Sequence, residues 1–310
     1  MKEYVPPFTG PLADFPKDPD VPEGAEVICL QDRTGYRTEI HANVVYDRQN
    51  DVDLHLQILV PRGAPESSER FPLIVFIPGS AWMKQSVFGA LPNMLLMCRK
   101  GYTVAVVEYR HTGLAAFPAQ AEDAKTAIRF MRLHAEEYAV DPERAAVWGD
   151  SSGGHTALMA GLTAGGYPDN GRYKEVSSSV NCIVDWYGPT DIIEMNSYPS
   201  AMDHTAPESP EGRLIGFKNV RENPEIARKT SPLSYISAEK ETPPLLIMHG
   251  NRDQLVCYQQ SAALYRQMKA LGKDVRMICL DGAYHGFGGF QSDEALDIVD
   301  RFIREKLPLK

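Results

Sequence analysis

In the stretch "VWGDSSGGHT", residues 147–156, Ser151 stands between Gly149 and Gly153. It leads from an apolar run into a helical pattern, the context that a G-x-S-x-G nucleophile elbow requires. The glycines are a steric demand: the turn is tight, the serine takes a strained backbone, and its neighbours two before and two after must carry no bulk. A serine hydroxyl is a poor nucleophile until a histidine takes its proton, and the histidine needs a carboxylate to fix its tautomer. The histidines after Ser151 are His155, His204, His249 and His285. His285 stands in "DGAYHGF", after the last apolar run and before the C-terminal helical stretch, and Asp253 stands in "LLIMHGNRDQLV", after the preceding run. The chain order is therefore Ser151, Asp253, His285, and these are the candidate nucleophile, acid and base. A developing oxyanion needs amide donors. Ser152 supplies one, and the turn "FIPGSAW" offers Ser80 and Ala81, with Gly79 giving room.

The apolar runs that must position these residues are short and continuous: "LIVFIP", "YTVAVVEY", "AAVWG", "VNCIVDWYG", "LLIMHG" and "VRMICL". Such runs suit strands buried on both faces. Helical stretches lie between them ("GALPNMLLMCRKG", "PAQAEDAKTAIRFMRLHAEEYAV", "SGGHTALMAGLTAGG", "YQQSAALYRQMKALG", "SDEALDIVDRFIREKL"), so the sheet is expected to be mostly parallel and covered by helices on both faces. Earlier, residues 40–60 read as a hairpin whose strands are separated by "DRQND", an antiparallel N-terminal edge. Within it, "DVDLH" puts Asp51, Asp53 and His55 on one strand face; a solvated polar face explains them better than a metal site. Residues 1–26 are rich in Pro, Gly and Asp and read as an irregular arm. From Asp191 to Tyr235 the rhythm breaks into a long Pro-, Gly- and charge-rich segment, read as a small cap insertion. No internal repeat or low-complexity tract interrupts the chain, and one domain is expected over its 310 residues.

Composition narrows the class. With 43% hydrophobic and 24% charged residues the chain reads as an ordinary globular protein. Its formal net charge of −9, from 41 acidic and 32 basic residues, argues against nucleic acid as a partner. No run approaches about 18 consecutive apolar residues, so no membrane span is expected. The N-terminus carries prolines and acids where a secretory signal would be apolar, which sets the expectation of a cytoplasmic protein. Five scattered cysteines (Cys29, Cys98, Cys182, Cys257, Cys279) show no C-x-x-C spacing and read as buried, reduced thiols.

Together the four motifs resemble the α/β-hydrolase esterases, specifically the acetyl xylan and feruloyl esterase-like group related to the hormone-sensitive-lipase type. The likeness runs from about residue 40 to 307 and includes the blocks "ESPEGRLIG", "SPLSYIS" and "GAYHGF". It implies the α/β-hydrolase fold and the same triad, Ser151, Asp253 and His285. Trp82, Trp186 and Phe287 adjoin the expected active-site loops and stand as candidate substrate walls. Asp123 in "AEDAKTAI" reads as structural, on a helix surface or anchoring a loop. Two departures stand out: the lipase-type loop usually begins His-Gly-Gly, where this chain has Pro78-Gly79-Ser80, and Cys257 follows Val256 where a proline is common.

The resemblance implies a serine carboxylesterase for short-chain, above all acetyl, esters of carbohydrate or aryl alcohols, acetylated oligosaccharides among them, working with no metal or cofactor. An arylformamidase-like amidase or a prolyl-oligopeptidase-type peptidase is the alternative, and a non-catalytic binding protein a more distant one. A trypsin-like protease is disfavoured by the extra serine in "GDSSGG", the reversed triad order and the alternating strands and helices. Oligomeric state is not legible.

Overall fold

The computed structural model describes residues 4–11, 14–17, 22–28, 36–49, 51–63 and 68–307; Cys29 lies outside them. The chain divides into a short unit, Met1–Arg33, and a large one, Thr34–Lys310. Where described, the short unit is irregular, with Asp14 N–H donating to Pro11 O at 2.9 Å and Phe8 edge-on to Phe15 at 5.3 Å.

The large unit is built on one eight-stranded sheet in the order β1-β2-β4-β3-β5-β6-β7-β8. Its strands are β1 (Arg37–Gln49), β2 (Val52–Arg62), β3 (Phe71–Ile77), β4 (Thr103–Val107), β5 (Val140–Asp150), β6 (Cys182–Trp186), β7 (Leu245–Gly250) and β8 (Val275–Leu280). β1 pairs with β2, and β2 with β4, antiparallel; every other pair is parallel. The antiparallel edge is where the hairpin was expected, but β1 continues through Asp47, Arg48 and Gln49, so the connection is shorter than "DRQND". An edge strand tolerates such polar residues because one face stays in water. Asp51 consequently sits in the turn at φ +64° rather than on the strand face with Asp53 and His55. Asp51 pairs with Arg48 at 3.6 Å, and His55 Nδ1 lies 2.7 Å from Glu108 Oε2.

Side-chain alternation divides each central strand between two cores. On β3, Leu73, Val75 and Ile77 join one apolar cluster, while Ile74 and Phe76 join the other. The first packs under α2 (Ala119–Leu133), α3 (Ser152–Leu162) and α6 (Gln259–Ala270), through residues such as Ile128, Leu158 and Leu264. The second packs under α1 (Leu91–Arg99) and α7 (Asp293–Lys306), through Met97, Val299 and Phe302. α7 shows why these segments are helical: Ser292 caps it by accepting from Ala295 N–H, acids fill its first turn and Arg304 and Lys306 its last.

Segment 191–235 folds as short pieces, namely 3-10 turns at Ile192–Ser197 and Pro232–Tyr235 and the helices α4 (Pro210–Leu214) and α5 (Pro224–Thr230). Asp123 is buried, not on a helix surface; its carboxylate holds Arg110 through the guanidinium and the backbone N–H at 2.7–3.0 Å. Cys98, Cys182 and Cys257 are buried free thiols, but Cys279 is exposed because β8 is the edge strand. Among the described residues no helix is long and apolar enough to cross a membrane.

Candidate active site

Ser151 sits between the end of β5 and the start of α3 with φ +53° and ψ −127°, a region side chains rarely occupy. Its N–H donates to Trp186 O at 2.8 Å, which ties the strained turn to the end of β6. The flanking glycines are obligatory. A Cβ on Gly149 would stand 2.2 Å from Gly153 O, and one on Gly153 would stand 1.9 Å from Ile77 O. The elbow therefore packs backbone against backbone, and the N-terminal end of α3 brings its positive dipole beneath the hydroxyl.

The two partners arrive from the ends of β7 and β8. Gly250 lets these loops touch, since a Cβ there would meet Ala283 O at 2.3 Å. Arg252 N–H donates to Ala283 O at 3.0 Å, and Gly282 N–H donates to Asn251 Oδ1 at 2.7 Å. The structure thereby brings the three expected side chains together. His285 Nε2 lies 2.8 Å from Ser151 Oγ, and His285 Nδ1 lies 2.7 Å from Asp253 Oδ2.

Asp253 is fully buried as a side chain, and its Oδ1 accepts from Leu255 and Val256 N–H, each at 2.9 Å. His249, given no role in the sequence reading, is a second imidazole on Oδ2, with Nε2 at 3.3 Å. Its Nε2 also faces Val256 O at 3.0 Å, so that nitrogen carries the proton and Nδ1 accepts from Ser261 Oγ at 2.7 Å. Burial alone would raise the Asp253 carboxyl, but hydrogen bonds from His249 and His285 and their charge outweigh it and hold it well below the usual carboxylate range.

The loop after β3 is held from several sides. Gly79 N–H donates to Asp150 Oδ1 and Ser80 N–H to Ser152 Oγ, both at 2.9 Å. The Ser80 amide is thus engaged by a side chain and anchors the loop, contrary to its expected place as an oxyanion donor. Ala81 and Ser152 do line the cavity that contains Ser151 and His285. Ala81 and Trp82 adopt φ +54° and +53°, in the left-handed region. Trp82 lines the same cavity and its Nε1–H donates to His155 Nδ1 at 3.2 Å. Because Nδ1 accepts, Nε2 must donate, and it faces Thr230 O at 2.7 Å. Burial pushes His155 down to about 4, keeping it neutral in this bridge.

The other two candidate walls are elsewhere. Trp186 is core, edge-on to Trp148 at 4.7 Å with its Nε1–H toward Met248 Sδ. Phe287 is 73% exposed and does not line the cavity. The ring against His285 is Tyr187, one residue beyond Trp186, at 4.8 Å between centroids. The cavity is narrow, about 50 Å³, and its far wall comes from segment 191–235: Met202, His204, Pro210 and Glu211.

A family model, BD-FAE, matches residues 56–268, more than half of the chain. Esterase LipC of Mycobacterium tuberculosis is 29% identical over 221 residues, covering 70% of this chain and 53% of its own length, so the chain spans about half of that relative. A solved structure described as a truncated carbohydrate esterase from gut microbiota superposes with a TM-score of 0.78 at 28% identity, covering 89% of this chain and 99% of that one. An acetyl ester-xyloside bifunctional hydrolase from Caldicellulosiruptor lactoaceticus superposes with a TM-score of 0.68 at 25% identity, over 83% and 89% of the two chains. The fold is that of the α/β-hydrolase esterases.

Proposed function

Because the chain belongs to the BD-FAE family, we propose that it is a serine hydrolase of carboxylic esters, with Ser151 as nucleophile, His285 as base and Asp253 as acid. The observation that carries this reading is the proton relay from Ser151 Oγ to His285 Nε2 at 2.8 Å and from His285 Nδ1 to Asp253 Oδ2 at 2.7 Å.

In the reaction, His285 takes the Ser151 proton as Oγ attacks the ester carbonyl. The resulting oxyanion is met by the amides of Ala81 and Ser152. His285 then gives the proton to the departing alcohol, leaving an acyl ester on Ser151, and water removes the acyl group with the same histidine as base. Segment 191–235 acts as a cap over the site. The narrow cavity supports a short acyl group, acetyl above all, since a pocket for a drug-sized ligand is typically several hundred Å³. The chain's likeness to the carbohydrate esterase and the acetyl ester-xyloside hydrolase supports a sugar alcohol.

The test is a ranked panel of kcat/KM values for p-nitrophenyl esters from acetate to dodecanoate, acetylated xylo-oligosaccharides, methyl ferulate and aminoacyl anilides. Acetyl esters should lead and values should fall steadily with chain length. Ser151→Ala should lower kcat by about 10⁴-fold or more. A preference for long chains or for anilides, or appreciable turnover by the alanine variant, would overturn the reading.

A further inference from the structure

Segment 191–235 contributes one pair of side chains to the cavity that the triad reading does not use. Glu211 and His204 both line it together with Ser151 and His285, and both are nine-tenths or more buried. Much of the remaining lining is apolar, including Trp82, Pro189, Met202 and Leu255. Glu211 Oε2 stands 3.0 Å from His204 Nδ1, yet among the described residues neither atom has an aligned hydrogen-bond partner. A buried acceptor that is only poorly aligned with its neighbouring donor gains free energy when a further donor reaches it.

The pair is held rigidly. The Ser209 side chain accepts from Gly212 N–H at 3.0 Å, and Gly212 packs so closely that a Cβ would lie 2.1 Å from Ala206 O. His204 N–H donates to Asn196 Oδ1 at 2.6 Å, and His204 Nε2 lies 2.8 Å from Ser200 Oγ. Ala201 N–H in turn donates to Gln254 O at 2.8 Å, the residue after Asp253. Placement of the carboxylate relative to the triad is therefore built into the fold. Burial lowers His204, but the hydrogen bond and charge of Glu211 beside it outweigh that and keep it raised, which favours the protonated ring next to the Glu211 side chain. A carboxylate whose neighbouring imidazole supplies the countercharge but is poorly aligned with it suits an uncharged hydroxyl donor better than a cation.

We propose that Glu211, positioned by His204, accepts a hydrogen bond from a free hydroxyl of the substrate close to the scissile ester, and so selects partly acylated polyhydroxy alcohols. This deepens the ester-hydrolase reading and rests on it. A hydrogen bond to a charged group contributes roughly 1.5–3 kcal/mol, about 10-fold to 150-fold in kcat/KM.

The experiment compares pairs of acetates that differ by one group: cis-1,2-cyclohexanediol monoacetate against cyclohexyl acetate, with acetylcholine as the cationic member. Wild type should prefer the hydroxy ester over the plain ester by about tenfold or more, and Glu211→Gln should collapse that ratio, with thermal melting verifying that the variant is folded. Equal kcat/KM for the two cyclohexyl esters in wild type overturns the proposal whatever the variant does. So does a ratio that survives in Glu211→Gln, or acetylcholine as the best substrate of the three. If wild type turns over p-nitrophenyl acetate but none of these three esters, this inference is overturned while the ester-hydrolase reading stands; if it turns over no ester at all, that reading itself has failed, and this inference falls with it.

Discussion

Asp253 accepts from two imidazoles and two backbone amides, and that crowding explains its behaviour better than burial does. His285 and His249 share Oδ2, while Leu255 and Val256 hold Oδ1. With its carboxyl held low, the stability it contributes is present above the usual carboxylate range and lost as pH falls through the lowered value. An asparagine has one acceptor oxygen: with it held by the Leu255 and Val256 amides, its NH2 faces both rings, so Asp253→Asn should turn His285 to the wrong tautomer. The expected result is a fall in kcat of about 10⁴-fold with little change in KM, read from steady-state hydrolysis of p-nitrophenyl acetate. A fall of less than tenfold would mean that the carboxylate does not orient the base. Ser151, Asp253 and His285 were legible because their order and loop positions are one-dimensional properties. His249 was not, because its importance depends on which way a strand-end side chain turns. Tyr187 was missed for the same reason: it follows the end of β6 with φ +43°, and its ring stands against His285 where Trp186 was expected to lie.

At the scale of elements, the elbow is where local sequence and tertiary packing make the same demand. Gly153 begins the second position of α3, and its hydrogen is almost in contact with β3 across the turn. Gly153→Ala would force a Cβ to within 1.9 Å of Ile77 O, a backbone atom that cannot swing aside. The expected outcome is a loss of about 3 kcal/mol or more of stability together with esterase activity, read by denaturant unfolding and by p-nitrophenyl acetate turnover. A variant as stable and active as the parent would show that α3 can shift without cost. By contrast, the loop after β3 needed coordinates. The pattern "PGSAW" marks a turn, but only the hydrogen bond from Ser80 N–H to Ser152 Oγ shows that one of its amides is engaged.

Across the whole molecule, pH dependence of stability should centre on Asp185, on β6 between the sheet and α3. It is completely buried; Oδ1 accepts from Gly188 N–H at 3.0 Å, and Oδ2 has no partner among the described residues. Burial pushes it up to about 8, the Gly188 amide opposing only in part. The folded state therefore holds a proton that the unfolded chain releases near pH 4, so this group's contribution is full below about 4 and is lost as pH rises towards 8. Asp185→Asn keeps the acceptor and removes the titration. Between pH 5 and 8 the melting temperature of the variant should gain steadily on that of the parent; parallel curves would place the charge change elsewhere. This carboxyl lay unnoticed inside the apolar run "VNCIVDWYG". The sequence by itself determined the alternation of strands and helices, the antiparallel edge, the glycine-flanked serine and the order of its partners, because period, backbone sterics and chain order act locally. Only the tertiary structure decided which aromatic ring meets His285, that the Ser80 amide is taken up by Ser152 Oγ, and that Glu211 and His204 reach the cavity, because these depend on contacts between residues far apart in the chain.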